Sequence, residues 1–274
     1  PRPIGTLYGL QSSLNPFSVH PAFRAIAHLS LAEKVAAFRD PAFVARLKTE
    51  APAEQYAKLV KRLNDFTRIF PLGAEPEYEP PREKSLAHMA ETSGRDVIDV
   101  AVECLLADEG HAFLFAPFSN YADYNLDACG EMMSDPHTIM GLGDGGAHVG
   151  LISDGSFPTY LLSHWGRDRA HGRFPVEQLV KKQTSDTARA VGLYDRGVVA
   201  AGYKADLNII DFDRLALEVP VMAFDLPAGG KRLLQRARGY EATIVSGAVT
   251  YRNGEATDAL PGRLVRGPQP VPQQ

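Results

Sequence analysis

Short apolar runs alternate with helical stripes in this chain, and that alternation restricts its fold more than any other feature. Ala112-Phe113-Leu114-Phe115-Ala116 is a strand with no polar face, and Thr138-Ile139-Met140-Gly141-Leu142 is a second short apolar run. Such strands need cover on both sides. Ahead of the first, Val97, Ile98, Ala101, Val102, Leu105 and Leu106 form a helical stripe, with Ser93 as expected N-cap and Gly110 as stop. Residues 126–133 predict a further helix ended by Asp135-Pro136. The pattern predicts an α/β fold, a parallel sheet covered by helices.

The rest of the chain extends this reading. Residues 4–10 read as a buried strand leading into a turn-rich loop. Helices are predicted from Leu31, from Pro41, over 53–63 and over 85–91, with a proline-rich loop at 71–81. A long helix is predicted over 176–191, with Pro175 just inside its start. After Gly192 strands take over: 206–211, then 243–245 and 248–251 joined by Ser246-Gly247 as a two-residue hairpin turn. Asn253-Gly254 is a second turn, and the tail from Pro261 reads as a surface arm. Lys231, Arg232, Arg236 and Arg238 read as a solvated face.

Composition excludes several classes. With 45% hydrophobic and 23% charged residues over 274 positions, the chain can bury a sizeable core and is not of disordered type. A net charge of -4 offers no basic excess for nucleic acid or an anionic membrane. No apolar run approaches the ~18 residues of a membrane span. Cys104 and Cys129 form no CxxC pair. They read as buried thiols, and the default compartment is a reducing cytoplasm. The start, Pro1-Arg2-Pro3-Ile4-Gly5, has neither Met nor a signal-peptide pattern, so the chain is expected to begin inside a longer polypeptide.

Chemistry concentrates in Gly141-Leu142-Gly143-Asp144-Gly145-Gly146-Ala147-His148-Val149-Gly150. So many glycines imply close backbone approach or positive φ. Asp144 follows the predicted strand, at the edge where parallel α/β folds bind ligands. A carboxylate there can hold a metal, act as a general base or anchor a hydrogen bond; the bland alternative is an Asx-turn. His148, in the same loop, is either a ligand or substrate contact or a structural residue. Gly141, Gly143 and Gly146 satisfy GxGxxG, but Gly150, Asp154, Gly155 and Pro158 oppose the helix a dinucleotide site requires. Asp144 would also repel the phosphates. GxSxG, Walker, HxH and HExxH motifs are absent. His164-Trp165 reads as core packing or a cap, and His20 stays ambiguous.

GLGDGGAH followed by Phe157-Pro158-Thr159-Tyr160-Leu161-Leu162-Ser163-His164-Trp165 resembles the last barrel strand and following helix of the D-aminoacylase-like branch of the amidohydrolase superfamily. Leu193-Tyr194-Asp195-Arg196-Gly197 with Gly202-Tyr203-Lys204-Ala205-Asp206-Leu207 is similar to the superfamily's GxxADL segment. Val245-Ser246-Gly247-Ala248-Val249 resembles its VxVNGxxV hairpin, and Pro261-Gly262-Arg263 the branch's PGR ending. The resemblance implies the C-terminal part of a (β/α)8 metal-dependent hydrolase barrel plus part of a small β-sandwich. Residues 1–195 would belong to the barrel, with a helical insertion at about 29–80 as a lid, and 196–274 to the sandwich and arm. It further implies a divalent metal, commonly zinc, held by Asp144, which also takes the proton of the metal's water.

Two departures matter. The family's HxH and its histidines of the fifth and sixth strands are missing, and no arginine lies between Asp144 and Gly166 to hold a substrate carboxylate. The expected function is therefore hydrolysis of a non-peptide C–N bond, amide or cyclic amide, with N-acyl-D-amino acids as one candidate substrate class. His148 is the candidate substrate contact. The missing ligands would come from the N-terminal half of the barrel or from a partner chain, and a homo-oligomer stays open. The alternative is a non-catalytic, partner-binding remnant of the barrel. The 274 residues alone are expected to be inactive; hydrolysis of N-acyl amino acids or cyclic amides by them with added zinc would overturn that expectation.

Overall fold

A computed structural model describes residues 1–141, 143, 146 and 148–273. Three strands, β1 (Ile4–Tyr8), β2 (Phe70–Pro71) and β3 (Leu114–Ser119), form a sheet in the order β1-β3-β2. Neighbours along β1 point to opposite sides: Leu7 enters one core and Tyr8 the other, and Phe115 and Leu114 divide in the same way on β3. Burial on both faces is what the unbroken apolar runs implied.

The pairing is antiparallel, however, with Ile4 opposite Ser119 and Tyr8 opposite Leu114. This corrects the expected parallel sheet. Apolarity on both faces records only that both faces are covered, whereas strand direction is set by pairing across the chain. The second predicted strand is also corrected: the described residues of 138–141 are not in a strand. Met140 is buried there and Ile139 is exposed, so the run packs at one point rather than along a ladder.

Helices α1 (Pro21–Ile26), α2 (Leu31–Arg39), α3 (Pro41–Thr49) and α4 (Ala57–Leu63) follow β1, and α5 (Leu86–Ser93) and α6 (Val97–Leu106) precede β3. Their ends are written locally. Ser30 and Glu33 make a reciprocal capping box on α2, and Asp40 ends α2 and caps Ala42 N–H of α3, with Pro41 at the first position. Ser93 was expected to cap α6. It instead closes α5, its hydroxyl on the Met89 carbonyl, while left-handed Gly94 ends that helix and Asp96 accepts from Ile98 N–H to begin α6.

After β3 come α7 (Asp127–Ser134), α8 (Phe157–Tyr160), a wide π-helical segment over Leu161–Asp168, α9 (Val176–Gln183) and α10 (Ser185–Ala190). The single helix predicted over 176–191 is two, because Thr184 leaves the helical region at φ -121°, ψ -87°. Pro175 stands at the N-cap of α9 rather than inside it.

The remaining strands are β4 (Leu207–Ile210), β5 (Ala216–Leu217), β6 (Val221–Leu226), β7 (Gly230–Leu234), β8 (Ala237–Arg238), β9 (Tyr240–Val245), β10 (Ala248–Arg252) and β11 (Glu255–Ala256). A four-stranded antiparallel sheet runs β11-β10-β9-β4, and β5-β8 and β6-β7 are separate pairs. Ser246 (φ 50°) and Gly247 (φ 82°) turn β9 into β10, as Asn253 and Gly254 turn β10 into β11. The pair β6-β7 had no sequence forecast. Within it Lys231 Nζ donates to the Gln11 carbonyl and departs from the expected solvated face, whereas Arg232 pairs with Asp225 at the surface and keeps to it.

Helices α2 and α3 share one core with β1, β3 and α6. Phe38, 1% exposed, is ringed there by Phe17, Phe23 and Phe43. Phe38→Ala should therefore cost about 3–5 kcal/mol of unfolding free energy. A urea titration reading a loss below about 1 kcal/mol would mean that these helices pack loosely and are separable from the body.

Candidate active site

Asp144 lies outside the described residues. His148 is described: its side chain is exposed and its φ is 50°, uncommon for a non-glycine. Its carbonyl accepts from Leu151 N–H (2.8 Å) and Ile152 N–H (3.1 Å), so its backbone forms the turn that brings the Gly-rich segment back.

The returning arm is fastened to the sheet. Leu7 N–H donates to the Leu151 carbonyl (2.8 Å) and Leu233 N–H to the Val149 carbonyl (2.7 Å). The Gly150 carbonyl accepts from both Ser13 N–H (3.1 Å) and the Ser12 hydroxyl (2.9 Å). A Cβ at Gly150 would sit 2.5 Å from Ser13 Oγ and would have to displace that hydroxyl. The outgoing arm meets the returning one at Gly143, where a Cβ would lie 3.3 Å from Phe157 and 3.4 Å from Gly155.

At this closure a cavity of about 100 Å³ is lined by Pro1, Arg2, Ile4, Asn120, Gly141, Asp154 and Phe157. Asn120 follows β3 directly and Arg2 precedes β1, so the cavity lies at one end of that pair. The Arg2 and Asp154 side chains, 2% and 7% exposed, pair at 2.9 Å. Arg2 Nη1 also reaches the Ser156 hydroxyl (2.6 Å) and the Ser153 carbonyl (3.2 Å). Its guanidinium carbon stands 3.6 Å from the centre of the Tyr78 ring, and Gln235 bridges the Tyr78 and Ser156 hydroxyls. Burial pushes the Tyr78 hydroxyl upward, keeping it neutral.

A second polar group braces the scaffold. Glu79 accepts from His164 Nε2 (2.5 Å), from Arg169 through Nε (2.9 Å) and Nη2 (2.8 Å), and from Leu126 N–H (2.7 Å). Burial pushes the Glu79 carboxyl up, but the bonds from His164, Arg169 and Leu126 outweigh it and bring it down to about 2. Arg169 also binds Asp127 (2.6 Å), and the His164 ring stacks on Tyr160 at 4.5 Å. His164 is therefore a packed, hydrogen-bonded residue beside fully buried Trp165. His20 caps α1 through Nδ1 and meets the Glu50 carbonyl through Nε2.

No group of three or more His, Cys, Asp and Glu side chains suited to a metal occurs among the described residues. Those residues do not by themselves make a metal site. No described helix is long and apolar enough to cross a membrane. The apolar groove of about 1000 Å³ beside Leu72, Phe113, Val221 and Phe224 lies by the other end of β3 and includes none of the loop residues. Sequence reasoning missed Arg2, Asp154 and Glu79. Asp154 and Gly155 stood out only as residues opposing a helix, and Glu79 lay in a proline-rich loop with no pattern to mark it.

Glu79→Gln tests the brace. A carboxyl held low stabilises the fold above its unfolded value near 4.3, and that contribution fades as pH falls toward 2. The variant should be less stable than the parent at pH 7, with the gap closing by on the order of 3 kcal/mol between about pH 5 and about pH 2. Thermal unfolding across that range that leaves the gap constant would contradict the assignment.

The amidohydrolase family model matches residues 15–251 of this chain. Over 111 residues, the chain is 35% identical to the D-aminoacylase of Alcaligenes xylosoxydans xylosoxydans, covering 40% of the chain and 20% of that protein. Over 125 residues it is 30% identical to a 5-methylthioadenosine/S-adenosylhomocysteine deaminase of Desulfitobacterium hafniense, covering 42% and 29%. A crystal structure of D-aminoacylase, described as defining a novel subset of amidohydrolases, matches with 22% identity and a TM-score of 0.39 over 84% of this chain and 44% of that one. The chain thus spans less than half of each of these relatives.

Proposed function

The chain belongs to the amidohydrolase family, and from that premise we propose that it supplies the C-terminal part of the catalytic barrel, and part of the β-sandwich, of a metal-dependent hydrolase. The bond cleaved is a non-peptide C–N bond, amide or cyclic amide, with N-acyl-D-amino acids among the candidate substrates. Similarity to both a D-aminoacylase and a deaminase supports the bond class and leaves the substrate open. The observation that carries the reading is the Gly-rich segment bearing Asp144, which lies inside the matched region and is fastened on its returning side to β1, Ser12, Ser13 and Leu233.

In this reading Asp144 is the carboxylate that ligates a divalent metal and accepts the proton of the attacking water. The metal, zinc by family resemblance, activates water and polarises the scissile carbonyl when bound. The remaining ligands come from outside the described residues. His148, exposed in the same segment, is assigned the substrate contact.

The test uses the full polypeptide made by the source cell, assayed on N-acetyl-D-amino acids and on five- and six-membered cyclic amides. Asp144→Asn should lower kcat by about 10²–10⁴-fold, the range for a lost general base. Unchanged turnover in that variant would remove Asp144 from the chemistry. An inactive parent across the whole panel would reject the hydrolase reading.

A further inference from the structure

We propose that Arg2 is a positioning residue for the candidate active site. Through Asp154, Ser153 and Ser156 it fixes the turn that bounds the space beside Gly143, the residue before Asp144. The inference rests on the proposed role of Asp144 and concerns how the chain holds the loop that carries it.

Three observations converge. Arg2 is a full charge with only 2% of its side chain exposed, and it grips three positions of one turn: the Ser153 carbonyl, the Asp154 carboxylate and the Ser156 hydroxyl. A planar guanidinium fork fixes direction as well as distance, which a point charge does not. The same turn lies beside Gly143, so close that a Cβ there would stand 3.3 Å from Phe157 and 3.4 Å from Gly155. The turn therefore bounds the space left to the residue bonded to Asp144. Finally, the far side of Arg2 is closed by Tyr78 and Gln235, so the guanidinium cannot follow the turn if it shifts.

An apolar side chain could fill this site, and replacing buried ion pairs by apolar groups is often neutral for stability. What the pair contributes beyond burial is one fixed arrangement of the turn. Active-site geometry is sensitive at this scale, since a displacement of about 1 Å can cost ~100-fold in rate.

The test compares Arg2→Met, Arg2→Lys, Ser156→Ala and Glu79→Gln in the full polypeptide, with the amide panel above as substrates. Hydrogen exchange is read over residues 148–157. Arg2→Met should lower kcat about 10- to 100-fold with KM within about threefold, as for a misplaced catalytic group. It should speed exchange in 148–157 at least about tenfold while leaving α2 to α6 unchanged. Arg2→Lys, with the charge but not the fork, should recover only part of kcat. Ser156→Ala removes one bond and should show the same pattern at smaller amplitude, including where Arg2→Met does not fold. Glu79→Gln should lower the melting temperature without changing kcat of the folded enzyme.

Loss of stability with kcat within twofold of the parent in both Arg2→Lys and Ser156→Ala would overturn the proposal, as would a uniform rise in exchange. If Asp144→Asn is fully active, the reading beneath it fails as well. If Asp144→Asn is inactive while the Arg2 and Ser156 variants turn over normally, only this inference fails.

Discussion

The pairing of β1 with β3 is the constraint on which the rest of this structure depends. The two strands are a wall with a core on each side, Leu7 and Phe115 facing one and Tyr8 and Leu114 the other. Burial of a single strand on both faces needs two separate sets of covering elements. Helices α1 to α6 provide one; the π-helical segment, α7, α9 and the β6-β7 pair provide the other. Each buried aromatic contributes about 1.5–3 kcal/mol by leaving water, so the wall is strongly held. The close approach of Gly5 to Phe115 shows how tightly it is packed: a Cβ there would lie 2.3 Å from the ring.

The wall also explains where charge is allowed inside. Arg2 and Arg169 are both almost wholly buried, and each is met by a carboxylate and by an aromatic face. Arg169 joins Glu79 to Asp127 and so ties the loop after β2 to the start of α7. Arg2 ties the start of β1 to the turn before α8. Arg2 lies at the end of the sheet where Gly141 opens the Gly-rich segment.

Much of the local structure was legible. Asp40-Pro41 between α2 and α3 and the Ser246-Gly247 hairpin depend on residues a few positions apart, and the sequence displays them directly. What was not legible depends on distance. The direction of β1 against β3 is settled by residues more than a hundred positions apart, and a uniformly apolar strand carries no mark of it. Ser93 was a plausible cap because Gly94 and Asp96 stand beside it, and the choice between them is made by tertiary packing of α5 against α6. Lys231 read as solvated because its partner, the Gln11 carbonyl, cannot be inferred from a run of cations. In the candidate site the Gly-rich motif was visible, while the Arg2–Asp154 pair that holds its base spans 152 positions. His148 lies at the turn of the loop, and Asp144 lies outside the described residues.

The central claim is that this chain brings a metal-binding carboxylate to an amidohydrolase centre. The most direct measurement is a crystal structure of the full polypeptide grown with a divalent metal. The account predicts an Asp144 carboxylate oxygen about 2.0–2.2 Å from the ion, the usual distance for zinc and oxygen. An Asp144 carboxylate folded back on its own loop as an Asx-turn, with the ion bound elsewhere or not at all, would contradict it.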